Sequence, residues 1–198
     1  MRTKFTQEYR TELKKKIMQA AIEIFAKNGF DRTRMEDIAM AAGLAKGTLY
    51  LYFKNKEDLF YAICDHNLKE LRNQLSRVFN RKENIMLDAR KFYDEYRKES
   101  LGGDTIWFEM IALSTRSPRL RKILTENQNK VYQVVKEVLK TQIEKGFLRE
   151  DINVDVTASA LIALYNGLAL NKLLLQTTDS ENQKAWIEMI RTLIVRSQ

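Results

Sequence analysis

Cysteine, histidine and proline each occur once in this chain of 198 residues, as Cys64, His66 and Pro118. A single cysteine excludes an internal disulfide and suits a reducing, cytoplasmic compartment. One histidine and one cysteine are too few for a zinc site, and no Ser–His–Asp or Cys–His–Asn set can be assembled around them. The two stand two positions apart, which on a helix turns them in different directions. The seven glycines are scattered, so no phosphate-cradling loop is present. We therefore expect no catalytic residue, no metal and no cofactor. The most apolar segment, residues 156–175, is interrupted by Thr157, Ser159, Asn166, Asn171 and Lys172, which argues against a membrane span. MRTKFTQEYR leads into an amphipathic helix and not an apolar stretch, so no signal peptide is expected. With helix breakers scarce and Ala, Leu, Glu, Lys, Ile and Met abundant, the chain should be all-α.

What the chain does have is concentrated in residues 33–53, TRMEDIAMAAGLAKGTLYLYF. These read as two short helices packed across a glycine turn, an arrangement that can lay the second helix into the major groove of DNA. Thr33 followed by Glu36 predicts a capping box that starts the first helix. Ile38, Ala39 and Ala42 then face inward, Gly43 takes the positive φ of the turn, and Leu44 and Leu49 plug the core between the helices. The bland alternative is an ordinary αα-hairpin. At about 100° per residue, Leu49 and Phe53 share the core face while Gly47, Thr48 and Leu51 point the opposite way. Tyr50 and Tyr52 fall on the flanks, where their hydroxyls can reach phosphates or, more plainly, pack between helices. Gly47 permits close approach, Lys46 can meet a phosphate or a guanine edge, and Thr48 can touch a base.

The flanks extend the pattern. A first helix over Thr11–Asn28 carries Leu13, Ile17, Ala20, Ala21 and Ile24 as an apolar stripe. It ends in Asn28-Gly29-Phe30, with glycine as a left-handed C-cap and Phe30 folding back. Asn55 is positioned to cap the helix after Phe53, with Asp58 at its third position. Taken together, the run from IMQAAIEIFAKNGF through LAKGTLYLYFKNKEDLF resembles the N-terminal domain of TetR-family transcriptional regulators, over roughly residues 13–60. Ala45 departs from the pattern, since the family commonly places Ser or Thr there to cap the recognition helix. That loss should cost about 1 kcal/mol locally. The resemblance implies that Arg34, Lys46, Gly47, Thr48, Tyr50, Leu51, Tyr52 and Lys56 contact DNA; for Lys56 a merely solvated lysine is the competing reading.

Charge agrees. Residues 1–60 hold 12 Lys and Arg against 8 Asp and Glu, and the sequence pI is about 9.5, which suits a polyanionic partner. Arg2, Lys4 and Arg10 could form an arm touching DNA, though a disordered start is the simpler expectation.

Beyond residue 60 the periodicity predicts further helices over 56–79, with Leu59, Ile63, Leu71, Leu75 and Val78 inward, then over 85–99, 105–114, 118–145, 154–176 and 180–195. Ser180 with Gln183 gives a second capping box. About nine helices result: a three-helix DNA-binding domain over 1–55 and a helical effector-binding and dimerisation domain over 56–198. Residues 158–175 are apolar nearly all round and need a second buried face. In the family the last two helices pair with their copies, which implies dimer contacts from Leu161, Leu164, Leu168, Trp186, Met189, Ile190, Leu193 and Ile194. The family's ligand pocket implies Phe92, Tyr96, Trp107, Phe108, Ile111, Tyr132, Tyr165 and Asn166 as its lining, with an apolar or aromatic effector; plain core is the competing reading for each. Glu109 is a further polar candidate there. The expected protein is a cytoplasmic homodimer that binds double-stranded DNA at a palindromic operator and represses until a small molecule releases it. The alternative is a regulator of the same fold without an effector, acting constitutively or through a protein partner.

Overall fold

The computed structural model describes residues 7–79, 85–99 and 103–194, leaving aside the side chains of residues 96–99 and 103. Nine helices are found among them: α1 (Gln7–Asn28), α2 (Met35–Ala41), α3 (Lys46–Tyr50), α4 (Lys56–Phe79), α5 (Ile85–Glu99), α6 (Gly103–Ser114), α7 (Pro118–Glu144), α8 (Val154–Leu175) and α9 (Asp179–Arg191). The only extended pairing among described residues is one isolated bridge, Leu148 to Ile194. The all-α expectation holds.

Two compact units divide the chain. The first packs residues up to Asn67 with the segment from α6 to Leu124; the second takes Leu68 through α5 and resumes at Thr125. In the first, Ile17, Ala21 and Phe25 of α1 close on Ile38, Ala39, Leu49, Phe53 and Leu59, with Ile106 and Met110 of α6 in the same core. Gly29, at φ 79°, turns the chain so that Phe30 packs back on Phe25 with ring centroids 5.0 Å apart. Asn55 caps α4 as expected, its Oδ1 accepting the Asp58 N–H at 2.9 Å.

Three local expectations are corrected. Thr33 does not cap α2: its hydroxyl turns inward and donates to the Gly29 carbonyl at 2.7 Å, closing the α1–α2 turn. The start of α2 moves one residue on, to Arg34, whose N–H is accepted by Asp37 Oδ2 at 3.1 Å. The Ser180–Gln183 box is likewise displaced. Thr178 is the N-cap of α9, and the Thr178 hydroxyl accepts the Glu181 N–H while the Glu181 carboxylate accepts the Thr178 N–H at 2.8 Å. The Thr178 N–H and the Thr178 hydroxyl both donate to the Glu181 carboxylate and hold its carboxyl below the usual carboxylate range. Gln183 instead donates to Asp94 Oδ1 at 2.6 Å, bracing α9 on α5. Finally, α9 ends at Arg191, short of the expected Val195, because the Leu193 carbonyl accepts the Arg149 N–H at 3.1 Å; Val195 lies outside the described residues. At the other end α1 starts at Gln7 and takes Arg10 into the helix, while Arg2 and Lys4 lie outside the described residues.

The second unit is built around aromatic rings. Trp186 of α9 sits 6.1 Å from both Phe92 and Tyr93 and 6.2 Å from Tyr165, and its indole N–H donates to the Ala89 carbonyl at 3.1 Å. Asn182, buried, donates to the Leu168 carbonyl and joins α9 to α8. α8 buries Thr157, Ala158, Leu161, Leu168 and Ala169, yet leaves Val156, Leu170, Leu173, Leu174 and Leu175 open. It is long and apolar enough to cross a membrane by length and composition, and 22% of its apolar window is buried.

The displaced cap gives a direct check. Thr178→Ala should lower unfolding stability by about 1 kcal/mol in urea titration, and Ser180→Ala should change it by less than about half that. Equal losses would show that α9 starts where the sequence pattern alone places it.

Candidate nucleic-acid interface

α3 has five residues, too few to persist as a helix unaided. It is held from behind. Leu49 is fully buried and Phe53 nearly so, against Ile38, Ala39 and Ala42 across the α2–α3 turn. That turn is closed by Gly43 at φ 65°, whose N–H donates to the Met40 carbonyl at 3.0 Å, and by Leu44 N–H to the Ala39 carbonyl at 2.9 Å. The Ala45 N-cap offers no side-chain acceptor, as the sequence led us to expect. Tertiary burial, not capping, keeps α3 in place.

On the opposite side the expected residues are displayed. Leu51 is 83% exposed and Tyr50 41%; Lys46 and Gly47 are exposed too, and nothing lies within 4 Å of where a Cβ would sit on Gly47. Arg34 is exposed at the start of α2, and Thr48 is half-buried. Tyr52 is also half-buried and packs on the head core, so its ring is anchored from one side. Lys56 is engaged elsewhere: its ammonium donates to the Phe30 and Asp31 carbonyls at 2.8 Å and stands 4.7 Å from the Phe30 ring centroid. Two of its three N–H donors are thus spent on the α1–α2 turn.

Three participants have roles that sequence reasoning does not assign them: the pattern gives Glu36 only as a capping residue and Glu109 as a polar group of the ligand pocket, and it does not single out Arg119. Glu36 lies on α2, and its Oε1 is 2.5 Å from Lys46 Nζ. Each holds the other charged: hydrogen bonding to Lys46 lowers the Glu36 carboxyl below its ordinary range, and hydrogen bonding to Glu36 raises the Lys46 ammonium. Glu109 of α6 accepts the Phe30 N–H at 2.8 Å, one peptide before the Phe30 carbonyl that faces Lys56. Arg119, at the start of α7, pairs with Asp58 Oδ1 at 2.5 Å and reaches the capping Asn55 Oδ1 at 3.3 Å. No short-range pattern signals these contacts, since they span 10, 79 and 61 positions.

The other expected residues fall in both units. Trp107, Phe108 and Ile111 belong to the first, where Trp107 packs on the head core, and Phe92, Tyr132, Tyr165 and Asn166 belong to the second. Phe92 and Tyr165 are taken up by the aromatic cluster, and Tyr132 donates its hydroxyl to Asp155 Oδ1 at 2.9 Å. The Tyr96 side chain lies outside the described residues. A separate cleft of about 220 Å³ opens between α4 and α7, lined by Arg72, Leu75, Phe79, Val134, Val138 and Gln142 among others; none of the expected ligand residues lines it. Of the expected dimer residues, Leu161, Leu168, Trp186, Ile190 and Leu193 are buried within the chain itself, while Leu164, Met189 and Ile194 are half-buried. These side chains serve the unit's own core first, and the apolar surface left open is further along α8.

A short helix held rigidly by a buried back, with its front open and basic at its start, defines a helix-turn-helix DNA-binding protein. Family comparison makes this specific. Residues 17–63 match the model of bacterial regulatory proteins of the tetR family, and residues 104–196 match that of the BetI-type transcriptional repressor C-terminal domain. Between them these cover more than half of the chain, which belongs to the tetR family and is a DNA-binding transcriptional regulator, not an enzyme. Among curated relatives, the fatty acid metabolism regulator protein of Bacillus subtilis is 28% identical over 70% of this chain and 72% of its own length. The regulator UidR of Escherichia coli K12 is 26% identical over 90% of this chain and 89% of its own length. A solved TetR-family regulator from Rhodococcus shares the fold at a TM-score of 0.79 with 19% identity, over 93% of this chain and all of that one. The fatty acid degradation regulator FadR of Bacillus halodurans does so at 0.74 with 20% identity, covering 90% and 94%.

Lys56 and Lys46 should therefore separate in their effects. Lys56→Ala should lower unfolding stability without DNA by roughly 1–3 kcal/mol, because two carbonyls lose a charged donor. Lys46→Ala should leave the thermal midpoint within a degree or two, since exposed ion pairs contribute about 0–1 kcal/mol. Calorimetry on both variants checks this; a neutral Lys56→Ala would show that the carbonyl contacts are idle.

Proposed function

We propose that the chain is a homodimeric repressor that seats two copies of α3 in successive major grooves of a palindromic operator and is released by a small, largely apolar molecule. The observation that carries the DNA-reading assignment is the contrast along α3: Leu49 fully buried and, two residues on, Leu51 83% exposed beside an open Tyr50. Large side chains held open on a rigid support suit groove contact, with apolar groups meeting thymine methyls. Arg34, Lys46, Gly47, Thr48, Tyr50, Leu51 and Tyr52 form the proposed DNA surface, to which Lys56 can add only the one N–H that its two carbonyl partners leave over. We assign DNA reading to residues 1–55 and pairing and sensing to 56–198, although the head's packing unit borrows α6. Such a protein works in the cytoplasm, where the chromosome is.

Pairing is supported by α8, whose Val156, Leu170, Leu173, Leu174 and Leu175 leave an apolar face uncovered. A dimer multiplies the discrimination of one small head, because both half-sites must fit at once. Ligand release is a population shift: the effector favours a form whose heads no longer match the groove spacing, and DNA weakens effector binding by the same factor. A second reading, regulation without a small-molecule effector, is favoured by one observation. Phe92, Tyr93, Tyr165 and Trp186 pack on one another at about 6 Å, filling the space an aromatic-lined pocket would need.

Sequencing DNA fragments retained by the pure protein tests the main reading, which expects inverted repeats with half-sites one helical turn apart. Leu170→Glu with Leu174→Glu should convert the dimer to monomer in sedimentation equilibrium and weaken binding to the selected DNA at least about tenfold. Thr48→Ala should relax preference at one base pair by ~1–3 kcal/mol. Fragments without symmetry, bound by a monomer, would overturn the dimeric-repressor reading.

A further inference from the structure

We propose that Glu36 sets the selectivity of DNA binding by clamping Lys46, so that this ammonium is presented to a guanine edge and withheld from phosphates at random sites. The inference rests on the assignment of α3 as the DNA-reading helix. Glu36 lies in the first turn of α2 and Lys46 opens α3, and both helices are pinned by buried neighbours, Ile38 and Ala39 on one and Leu49 on the other. The pair therefore joins two fixed backbones. Both side chains stay open to solvent, 46% exposed for Glu36 and 62% for Lys46, at an Oε1–Nζ separation of 2.5 Å. An exposed pair of this kind contributes little to folding. Its location is what counts: a carboxylate on the surface that meets DNA is repelled by every phosphate, unless it acts through a cation beside it.

The chemistry of lysine supplies the rest. An ammonium on a flexible four-carbon stem can reach almost any phosphate and adds to non-specific affinity wherever the protein lands. Held by Glu36, and 5.9 Å from the Tyr50 ring centroid, the Lys46 ammonium has a defined position along α3. As part of a neutral pair it releases no counterion on random DNA. Its remaining N–H donors can still meet the O6 and N7 acceptors of a guanine at the right position, which no other base pair presents in the same place. The carboxylate thus trades total affinity for discrimination. Met40, 77% exposed one turn further along α2, borders the same surface and keeps it apolar beyond the pair.

The experiment uses the full chain as Glu36→Gln, Lys46→Ala and the double variant, with a random duplex and a duplex enriched by selection on the unaltered protein. Affinities are read by fluorescence anisotropy across a salt series. Glu36→Gln should bind the random duplex about tenfold more tightly, with the log K against log salt slope steeper by about 0.9, as one more phosphate contact requires. Its gain on the enriched duplex should be smaller, so the specificity ratio falls. In the Lys46→Ala background, Glu36→Gln should relieve only the bare repulsion between carboxylate and phosphates, a clearly smaller gain that is equal on both duplexes and leaves the specificity ratio unchanged. An unchanged or weaker random-duplex affinity for Glu36→Gln overturns the proposal. So does the same gain in the Lys46→Ala background, which would mean bare charge repulsion and no clamp. If Lys46→Ala alone alters binding to neither duplex, the placement of Lys46 on DNA fails, and the clamp with it; the first two outcomes leave that placement standing.

Discussion

Everything this protein does on DNA depends on the burial of Leu49 and Phe53. A helix of five residues has no stability of its own, because nucleation consumes more backbone freedom than so few hydrogen bonds return. Each of those two side chains, moved from water into the head core, contributes roughly 1.5–3 kcal/mol. That holds α3 before DNA arrives, and the uncapped Ala45 shows how little of the helix's stability is local. The open residues Lys46, Tyr50 and Leu51 are therefore presented on a rigid support, and little ordering remains to be done on binding.

The same unit depends on a second, polar constraint at the α1–α2 turn. Gly29 adopts positive φ, and a Cβ there would also come within 3.1 Å of Glu109 Oε1. Around this glycine converge the Thr33 hydroxyl, the Lys56 ammonium and the Glu109 carboxylate. The two peptides that flank the Phe30 Cα are both held, one through the Phe30 N–H and the next through the Phe30 C=O. Because Glu109 sits on α6 and Arg119 on the start of α7, the unit that contains the helix-turn-helix includes a segment far along the chain. The α1–α2 turn from which α2 departs is therefore tied by a hydrogen bond to α6, 79 positions further along the chain.

The second unit solves a different problem. Its aromatic rings and Trp186 give α9 a fixed seat on α5, and Asn182 ties α9 to α8 through a buried carbonyl. With α9 occupied in this way, α8 buries Thr157, Ala158, Leu161, Leu168 and Ala169 and leaves Leu170, Leu173, Leu174 and Leu175 open at its C-terminal end, with Val156 open at its start. Exposed leucines of that number on one helix are what supports the proposed pairing with a second copy.

The sequence by itself determined the helical class, most helix boundaries, the glycine turns at Gly29 and Gly43, the Asn55 cap and the orientation of Leu49 against Leu51. These follow from periods and short-range stereochemistry that a single segment contains. Capping was legible only in part. Thr33 and Thr178 show why: a hydroxyl can cap a helix or close a neighbouring turn, and surrounding packing decides between them. The choice of which apolar side of α8 is buried, the use of aromatic rings as core, and the partners of Glu36, Lys56, Glu109 and Arg119 came only from the tertiary structure. Those contacts join positions far apart in the chain, and no local spacing encodes which charged side chain will find which backbone group once the helices have packed.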